Sequence, residues 1–235
     1  MLEEILDFLY PRCCPVCDEI VLPKGDKICP DCLKKLHFVH SPTCKCCGKE
    51  VLSQRQEYCL DCQRHPKSFR EAFALINYEE TARHSMAAIK YKNKAEYLDC
   101  YAKLICAKHR ETFKRLSPAI LIPVPIHPKR YRERGFNQAE LLARKIAAQT
   151  GMPVRSDILI RTKNTKPLKE MTPSQRKTTL KAAFCCTKKC NEQVRVILVD
   201  DIYTTGATAE ACTQSLKLAG ATEVYVLTIC VGSHN

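Results

Sequence analysis

The stretch Val196-Ile-Leu-Val-Asp-Asp-Ile-Tyr-Thr-Thr-Gly-Ala-Thr208 decides the fold of most of this chain. It begins with an apolar run of the kind that forms a strand buried on both faces. Residues 209–219 then show a helical pattern that ends at Gly220, and residues 223–231 form a second apolar run. A strand, a helix and a strand in this order have parallel strands, so we predict an α/β domain built on a parallel sheet.

The preceding residues extend this domain toward the amino terminus. The sequence predicts a strand within residues 69–78, a mostly helical region over 80–115 and a buried strand within 119–126. A further helix would begin after Asn137 as its N-cap and end at Gly151. Residues 157–190 contain few apolar side chains, and we interpret them as a mobile excursion from the core.

The junction between the first strand and its helix has the chemistry of a sugar-phosphate site. Asp200 and Asp201 would lie at the carboxyl end of the strand, where open parallel sheets bind ligands, and could accept hydrogen bonds from vicinal hydroxyls. The loop after them enters a helix N-terminus that favours a phosphate, and Gly206 permits close approach. We therefore predict a pocket for a ribose 5-phosphate. The alternative is a helix-capping turn with two solvated aspartates, whereas the absence of a Gly-Lys-Ser/Thr ending excludes a Walker A loop.

This run resembles the phosphoribosyl-pyrophosphate motif of type I phosphoribosyltransferases. The resemblance implies that Asp200 and Asp201 bind the ribose hydroxyls and are the residues closest to any catalysis. It also implies a loop for the 5′-phosphate, made of Thr204, Thr205, Gly206, Ala207 and Thr208. A catalytic site of this kind would displace pyrophosphate from the anomeric carbon, with Mg²⁺ bridging the ribose hydroxyls and the pyrophosphate.

A strongly basic segment follows the strand predicted within 119–126. Residues 129–134 contain four Lys or Arg, and a histidine precedes them. Arginine side chains bind pyrophosphate well because their fork geometry offers several donors. We predict that this segment is an anion-binding loop that uses His127, Arg130, Arg132 and Arg134. The alternative is a solvated basic loop without a ligand.

The amino-terminal part of the chain is dominated by cysteine. Four C-x-x-C pairs recur every 15 residues, at Cys14 and Cys17, Cys29 and Cys32, Cys44 and Cys47, and Cys59 and Cys62. Two such pairs supply the four thiolates of a tetrahedral structural zinc site, so we predict two zinc sites. Disulfides are the alternative. The constant spacing allows either sequential or interleaved pairing.

The basic segment and the cysteine pairs together indicate a more specific family resemblance. The Val-Pro-x-His and Arg-x-Arg-x-Arg-Gly-Phe-Asn-Gln patterns of residues 124–138, with Ile89-Lys-Tyr-Lys92 upstream, are similar to those of the ComF family of competence-type proteins. This resemblance implies a double zinc ribbon over residues 1–65 with sequential pairing, and a phosphoribosyltransferase-like domain over 66–235. The chain departs from the family pattern at Leu168 and Thr179.

Two functions from different classes remain open. The resemblance implies that the protein handles single-stranded DNA during natural transformation, while a catalytically active phosphoribosyltransferase with an unidentified acceptor is the alternative. The chain carries a net charge of +13, and residues 129–195 hold 17 Lys or Arg against 5 Asp or Glu, which favours anionic partners. A competence helicase that docks on the cysteine-rich head is a third partner implied by the family.

The location of the protein is predicted from two negative observations. Residues 1–10 lack the long apolar core of a signal peptide, and no run of 18 apolar residues is present. We therefore expect a cytoplasmic protein without membrane insertion, in which clustered cysteines bind metal.

Overall fold

A computed structural model describes residues 12–22, 25–162, 183–190 and 194–232. The strands within these ranges are β1 (Glu71–Asn77), β2 (Ala119–Pro123), β3 (Leu159–Arg161), β4 (Phe184–Cys186), β5 (Arg195–Tyr203) and β6 (Val224–Val231). The helices are α1 (Pro30–Lys34), α2 (Leu60–Arg64), α3 (Glu80–Tyr91), α4 (Tyr97–Lys108), α5 (Arg110–Leu116), α6 (Pro128–Arg134), α7 (Gln138–Thr150) and α8 (Ala207–Leu218).

The larger part of the molecule is the predicted α/β domain. Four strands form one parallel sheet in the order β1-β6-β5-β2, so β5 and β6 are the buried central strands. The side chains of β5 alternate between the two faces. Ile197 and Val199 pack with α4 and α7 on one face, and Val196 and Leu198 pack with α8 on the other. Helices therefore cover both faces, which explains the continuous apolar runs of β5 and β6.

The cysteine-rich head straddles the edge of this sheet. Phe38 forms an antiparallel bridge with Ile76 of β1. The N–H of Val39 donates to the Leu75 carbonyl at 3.0 Å, and the N–H of Asn77 donates to the His37 carbonyl at 2.7 Å. The chain before this crossing packs on the α4 face of the sheet, and the chain after it packs on the α8 face. The domain boundary predicted between residues 65 and 66 lies between Cys62 and β1, and it stays a prediction.

Two sequence-based expectations need correction. The segment predicted as a basic loop is helix α6, which has Pro128 in its first turn and ends at Gly135 in the left-handed conformation. The excursion predicted over 157–190 is partly core: its described ends pair as the antiparallel strands β3 and β4, and Leu159 and Phe184 are buried. Residues 163–182, which include Leu168 and Thr179, lie outside the described residues.

Candidate functional site

The head contains two cysteine clusters with the geometry of zinc sites. Within each cluster all four sulfur atoms lie within 4.8 Å of one another. The clusters are sequential, as the family resemblance implied, and not interleaved. Four thiolates close a tetrahedral site and leave no open position, so both Zn²⁺ sites are structural. The first site comprises Cys14, Cys17, Cys29 and Cys32, and the second comprises Cys44, Cys47, Cys59 and Cys62.

A cavity of about 900 Å³ lies at the carboxyl ends of β5 and β2. Asp200 and Asp201, the predicted ribose-binding pair, lie in its wall. Strand β2 is held at this end because the N–H of Val124 donates to the Val199 carbonyl at 2.8 Å. Asn137, the N-cap of α7 as predicted, adds a bond from its side-chain amide to the Val124 carbonyl at 3.0 Å. The carboxyl ends of parallel strands are the usual ligand-binding position in open α/β sheets.

The pKa values of the two aspartates are shifted in opposite directions. Burial raises the pKa of the Asp200 carboxyl well above its ordinary value, and the adjacent charge of Asp201 raises it further. Burial alone would also raise the pKa of Asp201, but its ion pair with the Lys90 ammonium, together with contacts from Asp200 and Gln138, lowers it below the ordinary value. Neighbouring carboxyls whose pKa values are pushed apart can perform different roles. The ion pair with Lys90 therefore favours the charged form of Asp201, and burial beside that charge disfavours the charged form of Asp200.

The predicted phosphate loop connects β5 to α8. Thr204 and Thr208 line the cavity, and Gly206 is the N-cap of α8 with a φ of 74°. A side chain at Gly206 would overlap the ring and hydroxyl of Tyr203, which lies directly beneath it. The position therefore requires glycine for its conformation and for its close packing. This loop leaves the first N–H groups of an α-helix available for an anion.

Only half of the predicted anion-binding set reaches the cavity. Arg130 and Arg134 line it. Arg132 is instead an exposed residue on another side of α6, and the His127 side chain caps that helix by accepting a bond from the N–H of Lys129 at 3.2 Å. A helix turns successive side chains by about 100°, so Arg130 and Arg134, four residues apart, share a face that excludes Arg132.

Three basic side chains that were not predicted as site residues complete the cavity wall. Lys90 and Arg83 come from α3, and Arg161 comes from the end of β3. The Arg134 guanidinium lies over the ring of Tyr91 at 5.4 Å, which fixes its position. The Ile-Lys-Tyr-Lys pattern around residue 90 was the available signal for Lys90. Nothing local marks Arg83, because its role depends on the packing of α3 over the sheet.

A larger groove, of about 1120 Å³, lies between the second cysteine cluster and the beginnings of β1 and β6. Its charged side chains include ion pairs, such as Arg115 with Glu71 at 2.9 Å and Arg70 with Glu223 at 3.9 Å. It also lies at the amino ends of the strands. The smaller cavity therefore has the stronger chemical case for a ligand, because it lies at the carboxyl ends and contains the carboxylate pair.

Comparison with known proteins identifies relatives of both parts. Residues 5–63 match the double zinc ribbon domain. The chain is 34% identical over 119 residues to competence protein F of Haemophilus influenzae, covering 50% of this chain and 52% of that protein. It is 29% identical over 157 residues to competence protein ComFC of Bacillus subtilis, covering 64% and 60%. It is 27% identical over 169 residues to DNA utilization protein YhgH of Salmonella typhimurium, covering 70% and 74%.

The aligned region therefore spans between half and two thirds of the two competence proteins. Among solved structures, a purine phosphoribosyltransferase from Pyrococcus horikoshii overlaps 57% of this chain and 72% of its own, at 17% identity and a TM-score of 0.37. A hypoxanthine phosphoribosyltransferase from Staphylococcus aureus overlaps 57% and 62%, at 13% identity and a TM-score of 0.36.

The fold and the cysteine clusters define a class of protein in which a double zinc ribbon precedes a type I phosphoribosyltransferase-like parallel sheet. Within that class, the relatives found by sequence are competence proteins and a DNA utilization protein. The double zinc ribbon match and these relatives support the resemblance to the ComF family that the motifs indicated. In the part of the chain that the structure describes, no helix is long and apolar enough to cross a bilayer.

Proposed function

We propose that the cavity beside Asp200 and Asp201 binds phosphoribosyl pyrophosphate with Mg²⁺, and that the protein uses this site in handling single-stranded DNA. The observation that carries the proposal is the pair of adjacent carboxyl groups in the cavity wall, directly before a glycine-capped loop at a helix N-terminus. This combination suits a sugar that has vicinal hydroxyls at one end and a phosphate at the other.

The charge distribution of the cavity supports a ligand with two anionic ends. The loop from Thr204 to Thr208 offers backbone N–H groups to a 5′-phosphate. Arg83, Arg130 and Arg134 line the same cavity and supply guanidinium donors for a pyrophosphate. The carboxylates provide the hard oxygen donors that Mg²⁺ prefers, and the ion would neutralise part of the pyrophosphate charge.

The DNA part of the proposal is supported by the relatives and by surface charge. Relatives with the printed names competence protein and DNA utilization protein align with 64% and 70% of the chain. The outer side of α6 carries Lys129 and Arg132, which are exposed and point away from the cavity. Such side chains can neutralise the phosphates of a nucleic acid strand without base contacts. A helicase docked on the double zinc ribbon stays a prediction.

Calorimetric titration tests the sugar-phosphate site. We expect phosphoribosyl pyrophosphate to bind the wild type with Mg²⁺ and more weakly without it. Asp200→Asn should weaken binding by about 10–100-fold, since a hydrogen bond to a charged group contributes about 1.5–3 kcal/mol. Glu111→Gln, which changes an exposed carboxylate on α5, should bind as the wild type does. Wild-type protein that does not bind the ligand would refute the site.

A second pair of measurements addresses DNA and turnover. Anisotropy titration of a labelled single-stranded oligonucleotide should show affinity that falls steeply with salt and decreases on Lys129→Ala with Arg132→Ala. Affinity that is insensitive to salt would contradict an electrostatic strand contact. Release of pyrophosphate from the bound ligand would favour the alternative, an active phosphoribosyltransferase, and the acceptor could then be sought among nucleobases and DNA ends.

A further inference from the structure

The second zinc site lies against the proposed phosphate loop. Its four cysteines pack in one buried cluster with Phe69, Tyr203 and Ala209, residues that flank the loop in sequence or in space. The edge of the Phe69 ring meets the Tyr203 ring at a centroid distance of 6.2 Å. Because Tyr203 also lies beneath Gly206, a displacement of the second ribbon would be transmitted to the floor of the loop.

Lys67 makes the direct connection between the two. Its ammonium donates to the carbonyl of Thr205 in the loop at 3.3 Å. The same ammonium pairs with the Asp61 carboxylate at 3.5 Å, and the Lys67 side chain is only 9% exposed. Asp61 belongs to α2, the short helix that begins directly after the zinc-ligand position Cys59 and contains the ligand position Cys62. The Lys67 ammonium therefore links helix α2 of the second zinc site to the backbone of the phosphate loop.

The residue after Lys67 extends this connection to α8. Both the N–H and the hydroxyl of Ser68 donate to the Glu210 carboxylate, at 2.7 and 2.5 Å. Glu210 lies in the first turn of the helix whose N-terminus the loop opens. Residues 67–69, which follow the second zinc ribbon, thus contact the phosphate loop, helix α8 and the ring of Tyr203. The first ribbon is attached elsewhere, through Asp18 to Lys94 at 2.8 Å.

The peptide geometry shows what this contact does to the loop. The carbonyl of one residue and the N–H of the next point in opposite directions across a trans peptide plane. When Lys67 holds the Thr205 carbonyl toward the ribbon, the N–H of Gly206 is directed away from the ribbon. That N–H is one of the helix-terminal donors available to a phosphate. Because this N–H is already oriented before the ligand binds, the loop loses less conformational entropy on binding.

We propose that Lys67 is a positioning residue for the 5′-phosphate loop, and that it couples occupancy of this loop to zinc affinity at the second ribbon. This inference rests on the proposed phosphoribosyl-pyrophosphate site. Coupling between two binding sites is reciprocal, so whatever the second zinc site contributes to ligand affinity, the ligand must contribute to zinc affinity.

The first test is binding to Lys67→Ala. Ribose 5-phosphate and phosphoribosyl pyrophosphate should bind about tenfold more weakly, because one charge-assisted hydrogen bond that orders the loop is lost. Pyrophosphate alone, which would contact the arginine wall, should bind unchanged. Lys67→Arg should restore most of the affinity. Lys34→Ala is the matched control, since Lys34 occupies the helix of the first ribbon and, among the described residues, its ion pair is with the exposed Asp31.

The second test is zinc affinity, measured by equilibrium competition with a chromogenic chelator. Saturating phosphoribosyl pyrophosphate should raise the affinity of one of the two bound zinc ions about tenfold in the wild type and in Lys34→Ala. The effect should vanish in Lys67→Ala, which should retain two zinc ions and the wild-type circular dichroism spectrum.

Two outcomes separate the claims. Wild-type protein that binds no phosphoribosyl pyrophosphate refutes the proposed function itself. Wild-type protein that binds the ligand, with Lys67→Ala binding it equally well or with zinc affinity unchanged by the ligand, refutes the role of Lys67 and leaves the site intact. If Lys67→Ala fails to fold, Lys67→Met provides the same comparison with a side chain of similar length.

Discussion

Replacing Lys90 by methionine should leave the buried carboxylate of Asp201 without its ion-pair partner. In the folded protein Lys90 pairs with Asp201, and the two side chains are 19% and 8% exposed. Methionine keeps the length and the apolar stem of lysine but removes the ammonium. Asp201 would then lose the contact that lowers its pKa, while the burial that raises its pKa would persist.

The magnitude follows from the cost of an unpaired buried charge. Breaking a buried ion pair by removing one partner destabilises a protein by about 3–5 kcal/mol. Asp201 retains contacts with Gln138 and Asp200, and it borders a cavity that admits water, so we expect the lower end, about 3 kcal/mol at pH 7. Asp201→Asn combined with Lys90→Met should recover part of this loss, because the amide carries no charge.

Urea unfolding of the zinc-loaded protein measures this effect at several pH values. Without Lys90 the folded-state pKa of Asp201 rises above the unfolded value. The penalty is therefore largest at neutral pH and shrinks as the pH falls through the raised folded-state pKa toward about 4, where the unfolded carboxyl also begins to take up a proton. A penalty that stays constant between these pH values would refute the electrostatic reasoning and assign the loss to packing. Phosphoribosyl pyrophosphate binding should weaken in parallel.

Three further outcomes are expected. Gly206→Ala should lower the free energy of unfolding by about 2–4 kcal/mol in urea melts, through left-handed backbone strain and overlap with Tyr203, and Gly151→Ala, which has a similar φ of 72° and open space around an added methyl group, should lose less. His109 has a pKa that burial lowers to about 4, so stability should fall by up to about 3 kcal/mol between about pH 6.5 and 4, where only the unfolded state takes up the proton. His109→Gln should flatten that dependence and the exposed His84→Gln should not. Chelation should remove two zinc ions per chain and lower the melting temperature of the whole molecule, whereas independent melting of the sheet domain would contradict the packing of the head.

The features that the sequence predicted well are those written in local patterns. The apolar run of β5 and Gly206 lie within a dozen residues, so their spacing alone indicates a strand and a helix N-terminus, whereas the ligand site between them stays a prediction. The cysteine pairs carry the zinc sites in the same way. The sequence prediction missed helix α6, although Pro128 at its first position and Gly135 just after its last are typical of helix ends. The density of positive charge between them favoured a loop interpretation.

The rest of the site depends on contacts between distant parts of the chain. Lys90 reaches Asp201 across 111 positions of sequence, and Lys67 reaches Thr205 across 138. No pattern within one segment specifies such a pair, because it exists only once α3 and the zinc ribbon pack on the sheet. The sequence also could not predict that Arg130 lines the cavity and Arg132 does not, because that difference follows from the helical period of α6 and the helix itself was not predicted.

The crossing of the head over β1 has a consequence for the edges of the sheet. A parallel sheet of four strands has two outer strands, each with a row of backbone groups that can recruit another chain. His37 to Val39 occupy that row on β1, and on β2 the Leu121 backbone bonds to Pro153 and Arg155. Both rims are thus closed by the protein's own chain. A fragment that starts after the ribbons would leave one rim open, and we expect it to self-associate through that strand.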